Sequence, residues 1–263
     1  MGCFDSLLEG RALSRPATTE RGPPEADCFP NIPSFPYSII PVKYAKLPTF
    51  MKTALFDLDG TLIDSLEDIA LGVNLTRQDF GLSPRPTAEI LTYIGDGVGV
   101  LLQRAIPELA ATYMPQIRER QKINYMAHLL DHTVLYPGIK EALVALKAAG
   151  WRLGVVTNKQ SAVVPPILEG LGVLDLFDGI VGGGDSDKLK PDPYPLYQVA
   201  ERMGVTLDSS DWMVGDHHAD MEAAKNAHVK GCFCRWGIGT LENSSFTVAV
   251  DHPSELLSVL QPF

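Results

Sequence analysis

Ala54-Leu55-Phe56-Asp57-Leu58-Asp59-Gly60-Thr61-Leu62 decides how this chain is read. The apolar run Ala54 to Phe56 predicts a buried strand. It leads straight into two aspartates one residue apart, then into Gly60. Acids at the end of a buried strand are costly unless a cation meets them. In a doubly wound sheet, ligands bind at the carboxyl ends of the strands. Asp57 and Asp59 therefore stand where a metal and a substrate would meet.

The chain beyond this stretch supplies a sheet. Ile139, Leu143, Leu146 and Lys147 have helical spacing, and Gly150 closes that helix. A strand over Leu153 to Val156 ends in Thr157-Asn158-Lys159, and a helix runs on to about Glu169. A short strand at 180–183, a helix over 194–203, a strand at 212–214 and a helix over 219–227 follow. Strands at 231–235 and near 247–250, then a helix over 253–260, complete the pattern. Such alternation predicts an α/β fold, a doubly wound parallel sheet with helices on both faces. Three apolar strands end in polar groups: Asp57 and Asp59, Thr157 and Asn158, and Asp216. In a parallel sheet those ends share one edge.

Between the first and second core strands lies a segment without strand pattern. Leu66, Ile69, Ala70, Val73 and Phe80 are helically spaced. Ile90 to Ile94, a stretch through Leu101, Leu102 and Ala105, and a long run from Glu108 to Leu130 extend the helical reading. One crossover helix suffices to join parallel strands, so several predict a separate helical lobe. The expected division is a leader over 1–50, an α/β core over 51–66 and 136–263, and an all-helical insertion over 67–135.

The chain has 263 residues and a formal net charge of −10, enough for a large core plus a smaller insertion. An acidic chain lacks the basic surface that nucleic acid requires. Cys232 and Cys234 are two apart in an apolar run, a spacing that suits neither a disulfide nor the usual zinc pair. They read as reduced core residues of a cytoplasmic protein. No apolar stretch is long enough to span a membrane. The leader is rich in Pro, Gly and Ser and reads as disordered. Its first residues, Met1-Gly2-Cys3-Phe4-Asp5-Ser6, fit a short lipidation pattern, but Met51, directly before the first strand, is the expected natural start.

The acids set the chemistry. Asp57, Asp59 and Asp216 repel one another unless a hard cation sits between them, and oxygen ligands facing a phosphate suit Mg²⁺. A carboxylate can attack phosphorus and divide one hard step into two. Thr157 offers a hydroxyl, Asn158 amide donors, and Lys190 a point charge for a nucleophile and a phosphoryl group.

Asp57-Leu58-Asp59-Gly60-Thr61-Leu62, Val155-Val156-Thr157-Asn158, Lys190-Pro191-Asp192-Pro193 and Gly215-Asp216 with Asp220 resemble, in order, the motifs of the haloacid dehalogenase-like hydrolases, most of which are phosphatases. The resemblance implies a Rossmann-like core with a helical cap inserted after the first motif. It assigns nucleophilic attack to Asp57 and proton transfer to Asp59, with Asp216 a metal ligand and Asp220 supporting it. Gly95-x-Gly97 with Arg104-Ala105, Thr157-Asn158-Lys159 and the Gly182-Gly183 strand are similar to bacterial phosphoglycolate phosphatases. That likeness implies a small phosphorylated metabolite as partner, 2-phosphoglycolate first. Other small phosphates (sugar phosphates, nucleotides, pyrophosphate) stay open as substrates. The two glycines fit a plain helix–helix turn as well as a cap motif. Arg104 reads either as a fork for a substrate carboxylate or as a solvated helix residue. Two positions depart from the family pattern: His217, where a small hydroxyl residue is usual, and His228, where glycine is.

A phosphomutase of the same fold would return the phosphoryl group from Asp57. A phospho-accepting signalling domain would use similar groups but is shorter and needs no Asp59. A binding protein with a vestigial site would not need the full set. A monomer and a homodimer are both open.

Overall fold

The computed structural model describes residues 52–261. The expectations for the leader, with Cys3, and for Met51 lie outside them. The sheet begins with β1 (Thr53–Phe56), whose four residues are all buried. The other core strands are β4 (Arg152–Gln160), β5 (Gly179–Gly183), β6 (Trp212–Gly215), β7 (Lys230–Cys234) and β8 (Val248–Val250). They pair in the order β5-β4-β1-β6-β7-β8, every neighbour parallel. The chain leaves β1 to build one side of the sheet, then returns to build the other. The strand order therefore reverses beside β1, between β4 and β6, which is where a doubly wound sheet leaves its binding crevice.

The sheet's sequence explains its burial. Leu55, Val156, Val181 and Met213 pack on one face with Leu196, Val199 and Met203 of α7 (Tyr194–Met203) and Ala223, Ala224 and Ala227 at α8 (His218–Asn226). Ala54, Phe56, Leu153, Val155 and Val214 face the other way, toward Leu143 and Leu146 of α5 (Ile139–Ala148) and Ile167 of α6 (Val164–Gly170). Alternate residues of one strand thus feed opposite layers. Cys232 and Cys234 are buried free thiols, and burial lifts both above the ordinary thiol range. His228 takes a left-handed φ of 59°, the conformation that makes glycine usual there. Α short helix, α9 (Leu256–Leu260), closes the described chain.

The insertion carries α1 (Leu66–Asp79), α2 (Thr87–Leu91), α3 (Val98–Ala105) and α4 (Pro107–Met126). Two details differ from the sequence reading. The segment is not wholly helical: β2 (Ile63–Asp64) and β3 (Val134–Leu135) pair antiparallel across its two ends. A two-residue strand is too short to show a period. The long helix also breaks stride: Tyr113 has φ −119° and ψ 17°, just before Pro115. Proline lacks the N–H the helix would use and crowds the preceding turn.

Buried polar ties fix the insertion. The Asp68 carboxylate on α1 accepts the backbone N–H groups of His132 and Thr133, at 3.0 and 2.8 Å, and the Thr133 hydroxyl at 2.7 Å. Burial works against its charge, and these donors outweigh burial and hold the carboxyl below its ordinary range. Arg77, also buried, donates to the carbonyls of Ser83 and Ala105. Among the described residues no helix is long and apolar enough to cross a membrane.

Candidate active site

The sheet edge brings the expected residues together. Asp57 follows β1 directly, and its backbone N–H donates to Val214 O of β6 at 2.9 Å. Asp216 follows β6. The carboxylate oxygens of Asp57, Asp216 and Asp220 lie within 4.8 Å of one another. Asp216 is held against backbone: its Oδ2 accepts from Ile238 N at 2.9 Å and Gly239 N at 2.8 Å, and its Oδ1 from the Thr61 hydroxyl at 3.0 Å. A Cβ on Gly60 would stand 2.1 Å from Asp216 Oδ2, so only glycine allows this approach. Thr61 was not singled out from sequence; its place immediately after the acid pair is the one signal for it.

Lys190 comes from the loop before α7 and is buried. Its Nζ lies 2.6 Å from Asp220 Oδ1, 2.9 Å from Asp57 Oδ1 and 2.6 Å from Val156 O. Burial disfavours its charge, but the two carboxylates outweigh that and raise its pKa. The acids are pushed the other way. Burial, then Asp220, lifts Asp57 to about 6 against the pull of Lys190. Burial, Asp220 and Asp57 together lift Asp216 to about 7. Asp57 Oδ1, although beside Lys190, meets no donor at hydrogen-bond angles among the described residues. One lysine does not neutralise three crowded carboxylates.

Asp220 and His217 form the start of α8. The Asp220 side chain accepts from His217 N at 3.0 Å, and His217 Nδ1 accepts from Ala219 N at 3.4 Å. This is a capping box, with imidazole doing what a hydroxyl usually does. Asp220 thus meets a backbone amide and, in addition, Lys190.

The structure departs from the expectation at Asp59, at Asn158 and in the length of β4. Asp59 does not join the acid cluster with its carboxylate. Its oxygens face Lys159 Nζ at 2.8 and 3.1 Å and the Ser65 hydroxyl at 2.5 Å. Residues 157–159 lie on β4 itself rather than after it, because β4 regains β5 at Gln160 beyond a register shift. Asn158 turns its amide to structural work: Nδ2 donates to Gly95 O at 3.1 Å and Lys190 O at 3.0 Å, and Oδ1 accepts from Lys190 N at 2.9 Å. Thr157 remains at the cavity wall, its hydroxyl accepting from Lys159 N at 3.2 Å.

The insertion meets the sheet edge here. Gly95 has φ 119°, and a Cβ on it would come within 2.7 Å of His217 Nε2. The glycine is there for close approach as well as for a turn. A cavity of about 90 Å³ lies between the two, lined by Asp57, Asp59, Thr157, Lys159, Tyr125 and Leu101 among others. Arg104 does not line it; it pairs with Asp96 at 3.0 Å and is well exposed.

Residues 54–234 match the family model described as haloacid dehalogenase-like hydrolase. A phosphoglycolate phosphatase of Aquifex aeolicus is 35% identical over 210 residues, which cover 80% of this chain and 97% of that protein. One from Haemophilus influenzae is 38% identical over 192 residues, covering 70% and 84%. A crystal structure described as a predicted phosphoglycolate phosphatase from Haemophilus somnus superposes with a TM-score of 0.73 at 32% identity, covering 80% of this chain and 98% of that one. With the sheet order, the insertion after the first motif and this extent of similarity, the chain belongs to the haloacid dehalogenase-like hydrolases.

Proposed function

We propose that this chain is a Mg²⁺-dependent phosphomonoester hydrolase that works through an aspartyl-phosphate on Asp57, and that its substrate is 2-phosphoglycolate. The observation that carries the reading is the convergence of Asp57, Asp216 and Asp220 beside Lys190, with Asp57, Asp59 and Asp216 lining one cavity. The substrate rests on the names of the similar proteins.

The residues fit a hard divalent cation. The donors are all carboxylate oxygens within 4.8 Å of one another, and two of the acids have their pKa raised by burial and mutual repulsion. Asp57 and Asp216 would hold the ion, with Asp220 behind them. When bound, Mg²⁺ screens the charge between the attacking carboxylate and the phosphoryl oxygens.

The chain's own groups then do the following. An Asp57 oxygen attacks phosphorus, and the bond from phosphorus to the ester oxygen breaks. Asp59 delivers a proton to that oxygen, and the alcohol leaves. Water then attacks the phosphorus of the aspartyl-phosphate, Asp59 takes its proton, and the bond to Asp57 breaks. One group acting first as acid and then as base is ordinary in two-step transfer. Lys190 holds Asp57 in place and offsets charge on the phosphoryl oxygens. Thr157 contributes a hydroxyl beside them. Residues 67–135 act as a cap that covers the cavity through the Gly95 contact.

Phosphate release from a panel of phosphomonoesters, with Mg²⁺ and then with EDTA, tests this. The expected result is Mg²⁺-dependent turnover that favours 2-phosphoglycolate and is abolished in folded Asp57→Asn. Turnover unaffected by EDTA, or retained by Asp57→Asn, overturns the mechanism.

A further inference from the structure

Lys159 lies two residues beyond Thr157 on β4, and both side chains line the same cavity. Its ammonium is almost fully buried and is paired with Asp59. Above it stands the ring of Tyr125 on α4, 4.6 Å from Nζ to the ring centroid. Tyr125 is 8% exposed. Its hydroxyl is buried beside the Lys159 ammonium, and its proton meets no acceptor among the described residues. Both side chains line the cavity that contains Asp57 and Asp59.

A buried donor proton without an acceptor costs roughly 1–3 kcal/mol and calls for an explanation. Here it borders open space next to a buried cation, a donor pair suited to a second anion. The walls combine apolar Ile69, Leu101 and Val163 with polar Gln121, Lys122 and Gln160, and a volume of about 90 Å³ suits a ligand with a short carbon linker. Asp59 connects the two ends of such a ligand: it is two residues from Asp57 and directly paired with Lys159. The second anion therefore sits one side chain away from the reacting phosphorus.

We propose that Lys159 and Tyr125 form the seat for the carboxylate of the substrate, and that this carboxylate replaces Asp59 as the partner of Lys159. The proposal rests on the phosphatase reading above and adds the residues that choose the substrate. It also couples choice to chemistry. Until substrate arrives, both Asp59 oxygens face Lys159, and one also accepts from Ser65. Once the substrate carboxylate takes the lysine, Asp59 is free to turn to the ester oxygen. A phosphate ester with an uncharged tail leaves the pair intact. It turns over with a lower kcat as well as a higher KM.

Steady-state kinetics on 2-phosphoglycolate and ethyl phosphate test the seat. The ratio of kcat/KM for the two compounds is expected to fall about 10- to 100-fold in Lys159→Met, the loss of one charge-assisted contact. Tyr125→Phe, which keeps the ring and its packing, is expected to lower the ratio by about 5-fold. A ratio within twofold of wild type in Lys159→Met overturns the proposal. If that variant does not fold, an unchanged ratio in Tyr125→Phe does so. Calorimetry on Asp57→Asn separates the seat from the reaction. That variant should bind 2-phosphoglycolate more tightly than ethyl phosphate, and adding Lys159→Met should remove the difference. Equal affinities in Asp57→Asn overturn the seat whatever the turnover. A binding preference without phosphate release by wild type overturns the phosphatase reading and leaves the seat standing.

Discussion

Two buried lysines stand at the same sheet edge and do different things. Lys190 is enclosed by Asp57, Asp220 and Val156 O, all parts of the α/β core. Lys159 has one core partner, Asp59, and otherwise faces an aromatic ring from the insertion. The first is saturated and fixed. The second has a single carboxylate to lose and open space beside it. On the proposed reading the contrast separates two kinds of specificity: the floor of the site serves phosphoryl transfer from any ester to Asp57, and its wall recognises the group the ester carries.

The largest expected effect breaks the floor. Lys190→Met should lower kcat by about 10²- to 10³-fold on every phosphomonoester tested, the scale of losing one preorganised electrostatic contact. It also leaves Asp57 and Asp220 buried without their cation, so stability should drop by about 3 kcal/mol or more in urea unfolding. A loss confined to carboxylated substrates would erase the distinction between the two lysines.

The next effect is in pH. Asp57 and Asp216 have folded pKa values of about 6 and about 7, above the ordinary carboxylate value. A group with a raised folded pKa contributes its stability below its unfolded pKa and loses it as pH rises through the folded one. Without divalent cation, Tm should therefore fall by roughly 5 °C between pH 4 and pH 7.5. Mg²⁺ should restore it at pH 7.5 and do little at pH 4.5. Asp216→Asn should flatten both responses. Scanning calorimetry reads all three; a Tm that is insensitive to Mg²⁺ at pH 7.5 breaks the cation assignment.

Arg104 gives the smallest effect and sharpens the comparison from outside. It is an exposed cation near the cavity, paired with Asp96. Such pairs contribute about 0–1 kcal/mol. Arg104→Ala should leave the preference for 2-phosphoglycolate over ethyl phosphate within about twofold of wild type. A tenfold fall would move the carboxylate seat from Lys159 to Arg104.

The alternation of strands and helices along the chain, the insertion between the first two core strands and the placing of Asp57, Thr157 and Asp216 at one edge were legible in the sequence; the order of the strands across the sheet was not. Each depends on local information: an apolar run of strand length, its last residue, and the helical period between runs. Asp57 and Asp216 follow from this, because the end of a strand fixes where its next side chain lies; Lys190, in a loop, was singled out by its order between Thr157 and Gly215-Asp216 and by the family resemblance. The two-residue strands β2 and β3, the bend before Pro115 and the extension of β4 to Gln160 depend on pairing or strain that no period announces. The partners of Asp59 and Asn158 were likewise decided only by tertiary structure. Asp59 met a lysine 100 residues away, and Asn158 a glycine carbonyl in the insertion and the backbone of Lys190. Sequence determined which chemical groups arrive at the edge. Packing decided which of them touch, because a side chain's partner is set by the approach of segments far apart in the chain, and only the assembled core and insertion bring Lys159 under Tyr125.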